Sequence, residues 1–419
     1  MKVVIINHSD TIGGASVVSR RLLDALVAEG VDARMIAGRL SPRGAANPRI
    51  APAAGNALRK TAFLAEEGWI FANNGFNRAD LFKVDAGRFG LPLASHPWVR
   101  ESDAVILNWV NQGLLSIDGI ADIAAAGKRI IWTMHDMWPL TGICHHAGEC
   151  RAFTADAPCR QCPFVHGLAG RAAQLSARVA RRKIQLYDSI PGLDFVAVSS
   201  WLADKARESA ITRGRHISVI PNAFPVEKFH IAPLRSRQAC GLPAQGVLIA
   251  MGAARLDDPV KGLPLAVDVL NALAAQMPRN DVHAVLFGNI RDPRILDRLN
   301  LPHTWLGQIS DPTLIADIYA HSSAVLSTSL YETLPGTLIE GQAAGAWPVS
   351  FDRGGQADII SDPSLGSLVA FGDTDAAARQ LARAIEGDTP DRRRHLSESV
   401  AAKFSARAVA CRYIDLLRR

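Results

Sequence analysis

Short apolar runs alternating with segments of helical period predict an α/β chain built on doubly wound parallel sheets. Three observations carry this. The chain opens with a β-branched run over residues 3–7, followed by a glycine loop and a helical-period stretch. A second opening of the same kind begins at Val247. Between them, residues 232–246 carry Pro233, Gly241 and Pro243 and read as a linker. Strand, glycine loop, helix is the first unit of a doubly wound domain. Two such openings predict two Rossmann-like domains facing a cleft.

The elements follow in order. Residues 3–7 have no polar face, which marks a buried strand. Residues 10–16 form the loop with Gly13 and Gly14, and residues 17–28 repeat apolar side chains at helical spacing. Residues 40–97 are rich in Ala, Arg and Gly and weakly patterned; helices are expected there without definable bounds. Residues 104–108, 129–134 and 194–198 are apolar runs bounded by polar turns, hence strands. An irregular Cys/His/Pro/Gly segment spans 138–167, and a basic helical stretch spans 171–187. In the second half, strands are expected at 247–251, 282–287, 304–307, 324–327 and 347–350. Helices are expected at 263–276, 312–320 and 334–344, with a loop over 252–262. Two amphipathic helices, about 375–386 and 396–417, close the chain. The expected domains are 1–225 and 226–395, with a C-terminal helix 396–419 packing back on the first.

Composition excludes several classes. Of 419 residues, 48% are hydrophobic and 21% charged, which is ordinary for a globular chain. No apolar run reaches the ~18 residues of a spanning helix. The apolar run after Lys2 is too short for a secretory core of about 7–15 residues, so a cytoplasmic protein is expected. The net charge of +6 suits phosphorylated small molecules, acidic lipid headgroups or nucleic acid and selects none of them. No aromatic–basic repeat speaks for nucleic acid.

The strongest chemical signal lies between Ser327 and Gly355. Glu332 follows a strand, Glu340 sits within the next helix, and Gly345 and Gly354–Gly355 follow. Ligands of doubly wound folds bind at strand C-terminal ends, where helix N-termini attract phosphate and carboxylates accept from sugar hydroxyls. This arrangement resembles the E-x7-E region of retaining glycosyltransferases of family 4, nucleotide-sugar-dependent enzymes of the two-Rossmann GT-B fold. Other segments resemble the same family in order along nearly the whole chain: Gly13–Gly14, His135–Asp136, Val198–Ser200, Pro221–Asn222, and Arg255 through Lys261–Gly262. Residues 132–139 with the cysteines after them are most similar to bacterial exopolysaccharide transferases of the colanic-acid type. The resemblance implies that Arg255 and Lys261 hold the donor diphosphate and that Glu340 accepts from the ribose. It further implies that Glu332 and His135 contact the donor sugar, with Gly13 and Gly14 allowing close backbone approach. The donor would be a UDP- or GDP-sugar, with no catalytic metal. The acceptor would be a glycan, lipid-linked in exopolysaccharide or lipopolysaccharide synthesis. Where many members have Gly-Phe-Gly after the first glutamate, this chain has Thr333-Leu334-Pro335, a loop that would lie against the donor. The usual acidic residue after the glycine pair is replaced by Asp358, read as peripheral. The rival readings are a non-catalytic GT-B binding or scaffold protein and a transferase with a small soluble acceptor.

Two further features stand apart. Cys144, Cys150, Cys159 and Cys162 share one loop, with His145, His146 and His166 nearby. Four thiolates suit a structural zinc site, and a cytoplasmic chain favours metal over disulfides. Unliganded thiols and redox-active pairs are the alternatives. The basic stretch carries Arg171, Arg178, Arg181, Arg182 and Lys183 among Leu175, Val179 and Ile184. It reads either as a solvated face or as a contact with an anionic membrane.

Overall fold

The computed structural model describes residues 1–167, 170–277 and 281–419. The chain divides into two compact units, 1–222 with 409–419, and 223–408. Each is a parallel sheet wrapped by helices.

The first sheet has strands β1 (Lys2–Ser9), β2 (Asp32–Arg39), β3 (Ile50–Pro52), β4 (Ala104–Leu107), β5 (Arg129–Met134), β6 (Asp194–Ala197) and β7 (His216–Val219). Their order is β3-β2-β1-β4-β5-β6-β7, with every pairing parallel. The second sheet has β8 (Val247–Arg255), β9 (Val282–Asn289), β10 (His303–Trp305), β11 (Ala324–Ser327), β12 (Trp347–Phe351) and β13 (Ser367–Val369). Its order is β10-β9-β8-β11-β12-β13, also parallel throughout. Both orders reverse direction beside the first strand, between β1 and β4 and between β8 and β11. That switch point is where doubly wound folds open a crevice at the strand C-terminal ends. β4, β6 and β11 are buried along their whole length, as strands covered by helices on both faces must be.

The structure adds what periodicity did not mark. β2, β3, β7 and β13 complete the sheets, and a long helix, Asn56–Asn73, lies in the weakly patterned region. Residues 223–246 belong to the second unit, so the expected linker is not the boundary. It is tied there by the Leu234 amide donating to Asp317 Oδ1 at 2.6 Å and by Arg235 pairing with Asp311. The terminal helical stretch is two helices, Pro390–Phe404 and Ala406–Arg418, broken at extended Ser405. The chain rejoins the first unit at Val409, where Tyr413 and Thr133 hydroxyls meet at 2.9 Å.

Candidate active site

In the second unit, the site residues come from three strand ends. β8 ends at Arg255, whose Nε donates to Asp257 Oδ1 at 3.0 Å. The Arg291 amide donates to the other oxygen of Asp257. That amide and the Arg255 guanidinium hold the Asp257 carboxyl below its usual range. After a turn over Pro259–Lys261, Gly262 adopts φ 66° and caps the helix Leu263–Gln276. A Cβ at Gly262 would meet the Thr328 carbonyl oxygen at 2.2 Å, so only glycine lets the two loops close on each other. The Thr328 hydroxyl lies within 3.1 Å of the Lys261 and Gly262 carbonyls and completes that junction.

This packing delivers Lys261 to Glu332. The ammonium donates to Glu332 Oε1, to which the Ser329 hydroxyl also donates at 3.2 Å. The two residues are 71 apart in sequence and both are partly exposed. Glu332 is fixed at its backbone too: its carbonyl accepts from the Gly355 amide at 2.8 Å, and a Cβ on Gly354 would strike that carbonyl oxygen. Glu340 follows in the helix Gly336–Ala343 and is half-buried. That helix starts at Pro335 without a side-chain cap, which leaves first-turn amides for an incoming acceptor oxygen. Leu334 is buried. The structure thus brings Lys261 and Glu332 together, places Arg255 on the adjacent strand end, and sets Glu340 one turn into the next helix. Asp257, which orients Arg255, was not singled out from sequence.

In the first unit, the loop after β1 is held by Ser9, whose hydroxyl accepts from the Thr11 and Ile12 amides. Gly13 has φ 86° and no side-chain cap is made to the helix Gly14–Ala28; no atom lies within 4 Å of a Cβ built on Gly13 or Gly14. His135 follows β5, with Nε2 and Asn108 Oδ1 2.8 Å apart. Burial pulls its pKa down to about 4. A neutral ring facing that oxygen donates through Nε2, leaving Nδ1 as an acceptor.

Asp136 is the more heavily engaged neighbour. Its Oδ2 accepts from Trp109 Nε1 at 2.8 Å and from His145 Nδ1 at 2.7 Å, and its Oδ1 accepts from the Trp138 amide. Burial opposes its charge, but His145, His146 and the Trp138 amide outweigh burial and hold its pKa to about 2. Against an ordinary value of 3.8, this stability is present above about pH 4 and lost as pH falls towards 2, because the unfolded chain takes the proton first. Urea unfolding of Asp136→Asn beside the native chain at pH 6 and near pH 2 should show the gap between them shrinking by about 2 kcal/mol. A gap independent of pH would remove Asp136 as its source.

The cysteine loop corrects an expectation. Among the described residues no three His, Cys, Asp or Glu side chains are arranged to hold a metal ion. The expected zinc site at Cys144, Cys150, Cys159 and Cys162 is therefore not found. The four thiols do line one small space with Thr141, Phe153 and Phe164, and all are free. Burial pushes the Cys144 thiol up to about 12 and raises Cys159 and Cys162. The staple of this segment is Lys183. Fully buried, it donates to the carbonyls of Trp138, Thr141 and Gly142 at 2.5, 3.0 and 3.0 Å. Its ammonium sits 3.5 Å from the Trp138 ring centroid. The stretch read as a basic surface is thus partly an interior prop. Arg182 pairs with Asp118, Arg181 is exposed, and the Arg171 side chain lies outside the described residues. The signal for Lys183 was in the period: it falls on the face of Leu175, Val179, Leu186 and Tyr187.

Comparison with known proteins bears on the fold and on one segment. Residues 246–387 match the family model described as glycosyl transferases group 1. That span contains all six strands of the second sheet. None of the curated proteins matches the chain. Among solved structures, the chain is similar to Anabaena HepE in complex with UDP, at 16% identity and a TM-score of 0.65, covering 100% of both chains. It is similar to sucrose-phosphate synthase from Thermosynechococcus elongatus, at 18% identity and 0.63, covering 100% of this chain and 98% of that one. It is also similar to WaaG, a glycosyltransferase involved in lipopolysaccharide biosynthesis, at 15% identity and 0.61, covering 99% of each. The chain has the GT-B fold of two parallel-sheet α/β domains.

Proposed function

We propose that this chain is a retaining glycosyltransferase that moves a sugar from a UDP- or GDP-sugar to a glycan, most simply a lipid-linked one. The observation that carries the reading is the Lys261–Glu332 pair beside Arg255, at strand C-terminal ends inside the segment that matches glycosyl transferases group 1. HepE binds UDP in the structure named above, which supports a nucleoside diphosphate as the donor's leaving part.

In this reading Arg255 and Lys261 hold the diphosphate and stabilise the charge that grows on it as the sugar C1–O bond breaks. Two fixed cations do this without a catalytic metal. A diphosphate reaching Lys261 displaces Glu332 from the ammonium, and the freed carboxylate takes up a donor-sugar hydroxyl. Glu340 accepts from the ribose. Gly13, Gly14 and neutral His135 serve the sugar from the first unit, His135 as a hydrogen-bond acceptor through Nδ1. The acceptor hydroxyl attacks C1 on the face the diphosphate leaves, and its proton passes to the departing phosphate oxygen. No helix among the described residues is long and apolar enough to cross a membrane. A lipid-linked acceptor would therefore be met at a cytoplasmic membrane surface by peripheral contact.

The test is a thermal-shift panel of nucleotides and nucleotide sugars, with Glu340→Ala alongside. Selective stabilisation by one nucleotide, near 2.7 kcal/mol at about 100 times its Kd and lost in Glu340→Ala, is the expected outcome. No stabilisation by any nucleoside diphosphate would leave a scaffold protein instead.

A further inference from the structure

The helix Asn56–Asn73 turns its acids inward, beside Ala62 and Ile70, and large apolar side chains outward. Its two acids, Glu66 and Glu67, are buried, at 0% and 8% exposure. Its outward face carries Ala57, Leu58, Lys60, Thr61, Leu64, Gly68 and Ala72, with Leu58 at 51% and Leu64 at 63% exposure. A helix of a water-facing surface shows the opposite arrangement. Of the inward acids, Glu66 accepts from the amides of Ala86, Arg88 and Phe89 at 2.8–3.0 Å and so ties the following loop to the helix.

The segment between the helix and that loop exposes two more large apolar side chains. Phe76 is 71% exposed and Phe82 68%. Phe76 holds φ 56°, a conformation costly for an aromatic residue, and its ring projects while meeting Phe71 edge-on at 5.4 Å. The exposed charged side chains of this segment are all basic. Between residues 56 and 89 the bases are Arg59, Lys60, Arg78, Lys83 and Arg88, none of them buried. The acids are Glu66, Glu67 and Asp85, all buried, and Asp80, which is held by Lys83 and His166. Arg88 also lies 3.7 Å from Asp118.

We propose that this face, Leu58, Leu64, Phe76 and Phe82 rimmed by Lys60, Arg78 and Lys83, docks the protein on an anionic lipid surface. Apolar and aromatic side chains that enter the acyl boundary, with cations placed to meet headgroup phosphates, are the composition such an interface requires. A second copy of the chain would bring the same cationic rim against itself. The inference rests on the proposed lipid-linked acceptor only for its purpose. It names a surface other than the helix Leu175–Ser189, whose Lys183 is buried.

Flotation of the full chain with vesicles of phosphatidylcholine, alone or with about one-third phosphatidylglycerol, tests it. Binding to the anionic vesicles is expected, weakened by salt. Leu64→Ser/Phe76→Ser/Phe82→Ser should reduce it about tenfold or more while the melting temperature holds, since all three side chains are exposed. Lys60→Glu/Lys83→Glu should weaken it without touching an apolar residue. No binding of the native chain would overturn the proposal. So would binding lost in Arg181→Glu but kept in the triple variant. Self-association that the triple variant abolishes, with no vesicle binding, would assign the face to a second copy instead. Nucleotide binding is read separately, so failure of either assignment leaves the other legible.

Discussion

Alanine at Lys261 is expected to lower kcat/KM for glycosyl transfer by roughly 10²–10³-fold, the usual cost of removing one donor aimed at developing negative charge. The same change should weaken binding of the nucleoside diphosphate product, because in the proposed reaction the leaving group carries the charge that Lys261 meets. Folding should barely respond. The Lys261–Glu332 pair is partly exposed, at 32% and 20% for the two side chains, and such pairs contribute about 0–1 kcal/mol. Arg255→Ala should act alike on kcat/KM but also leave the Asp257 carboxylate without its guanidinium. Glu332→Gln separates the two roles of the pair. It keeps the side-chain shape and releases Lys261, so diphosphate binding should persist while sugar transfer falls. Turnover by Lys261→Ala within twofold of the native chain, at unchanged melting temperature, would end the assignment of Lys261 to the diphosphate.

What was legible in the sequence follows from burial. β1, β4, β5, β8 and β11 are apolar runs because helices cover both their faces, and such runs announce themselves. β2 mixes Arg34 and Arg39 with its buried Met35 and Ile36, and β3 and β13 have three residues each; a short sheet-edge strand offers no period to read. The helix Asn56–Asn73 escaped definition for a more telling reason. It buries Glu66 and Glu67 beside Ala62 and Ile70 and exposes Leu58 and Leu64, so the pattern that marks a surface helix is blurred. The break at Ser405 was hidden because no glycine or proline marks it. For the candidate site, strand ends and glycines singled out Glu332 and Glu340, while the family resemblance implied Arg255 and Lys261. The ion pair across 71 residues depends on the Gly262–Thr328 junction, which no local pattern reports.

Methionine at Lys183 is expected to destabilise the first unit by roughly 3–5 kcal/mol, the range for breaking a buried charged network from one side. The argument runs from donors to acceptors. An ammonium has three protons, and three carbonyls, those of Trp138, Thr141 and Gly142, receive them. Methionine fills the stem's volume but returns none of these bonds, and each carbonyl left unpaired in the interior costs about 1–3 kcal/mol unless water enters. The irregular segment after β5 loses its anchor, and with it the turn that presents the Trp138 amide to Asp136. For a unit of this size the loss corresponds to a fall of about 6–20 °C in melting temperature. Arg181→Met, exposed one turn edge away, should change stability by no more than about 0.5 kcal/mol. Lysine 183 also carries a signature in pH. Burial lowers its pKa from 10.5 to about 7, so between those values the unfolded chain keeps the proton while the folded chain holds a neutral amine with two donors, one short of the three carbonyls that the ammonium satisfies below 7. Stability contributed this way rises with pH across that window and is lost as pH falls back through 7. The gap between the native chain and Lys183→Met should therefore widen as pH rises above 7. A variant that melts with the native chain, at pH 7 and at pH 9, would show that the three carbonyls are satisfied without Lys183.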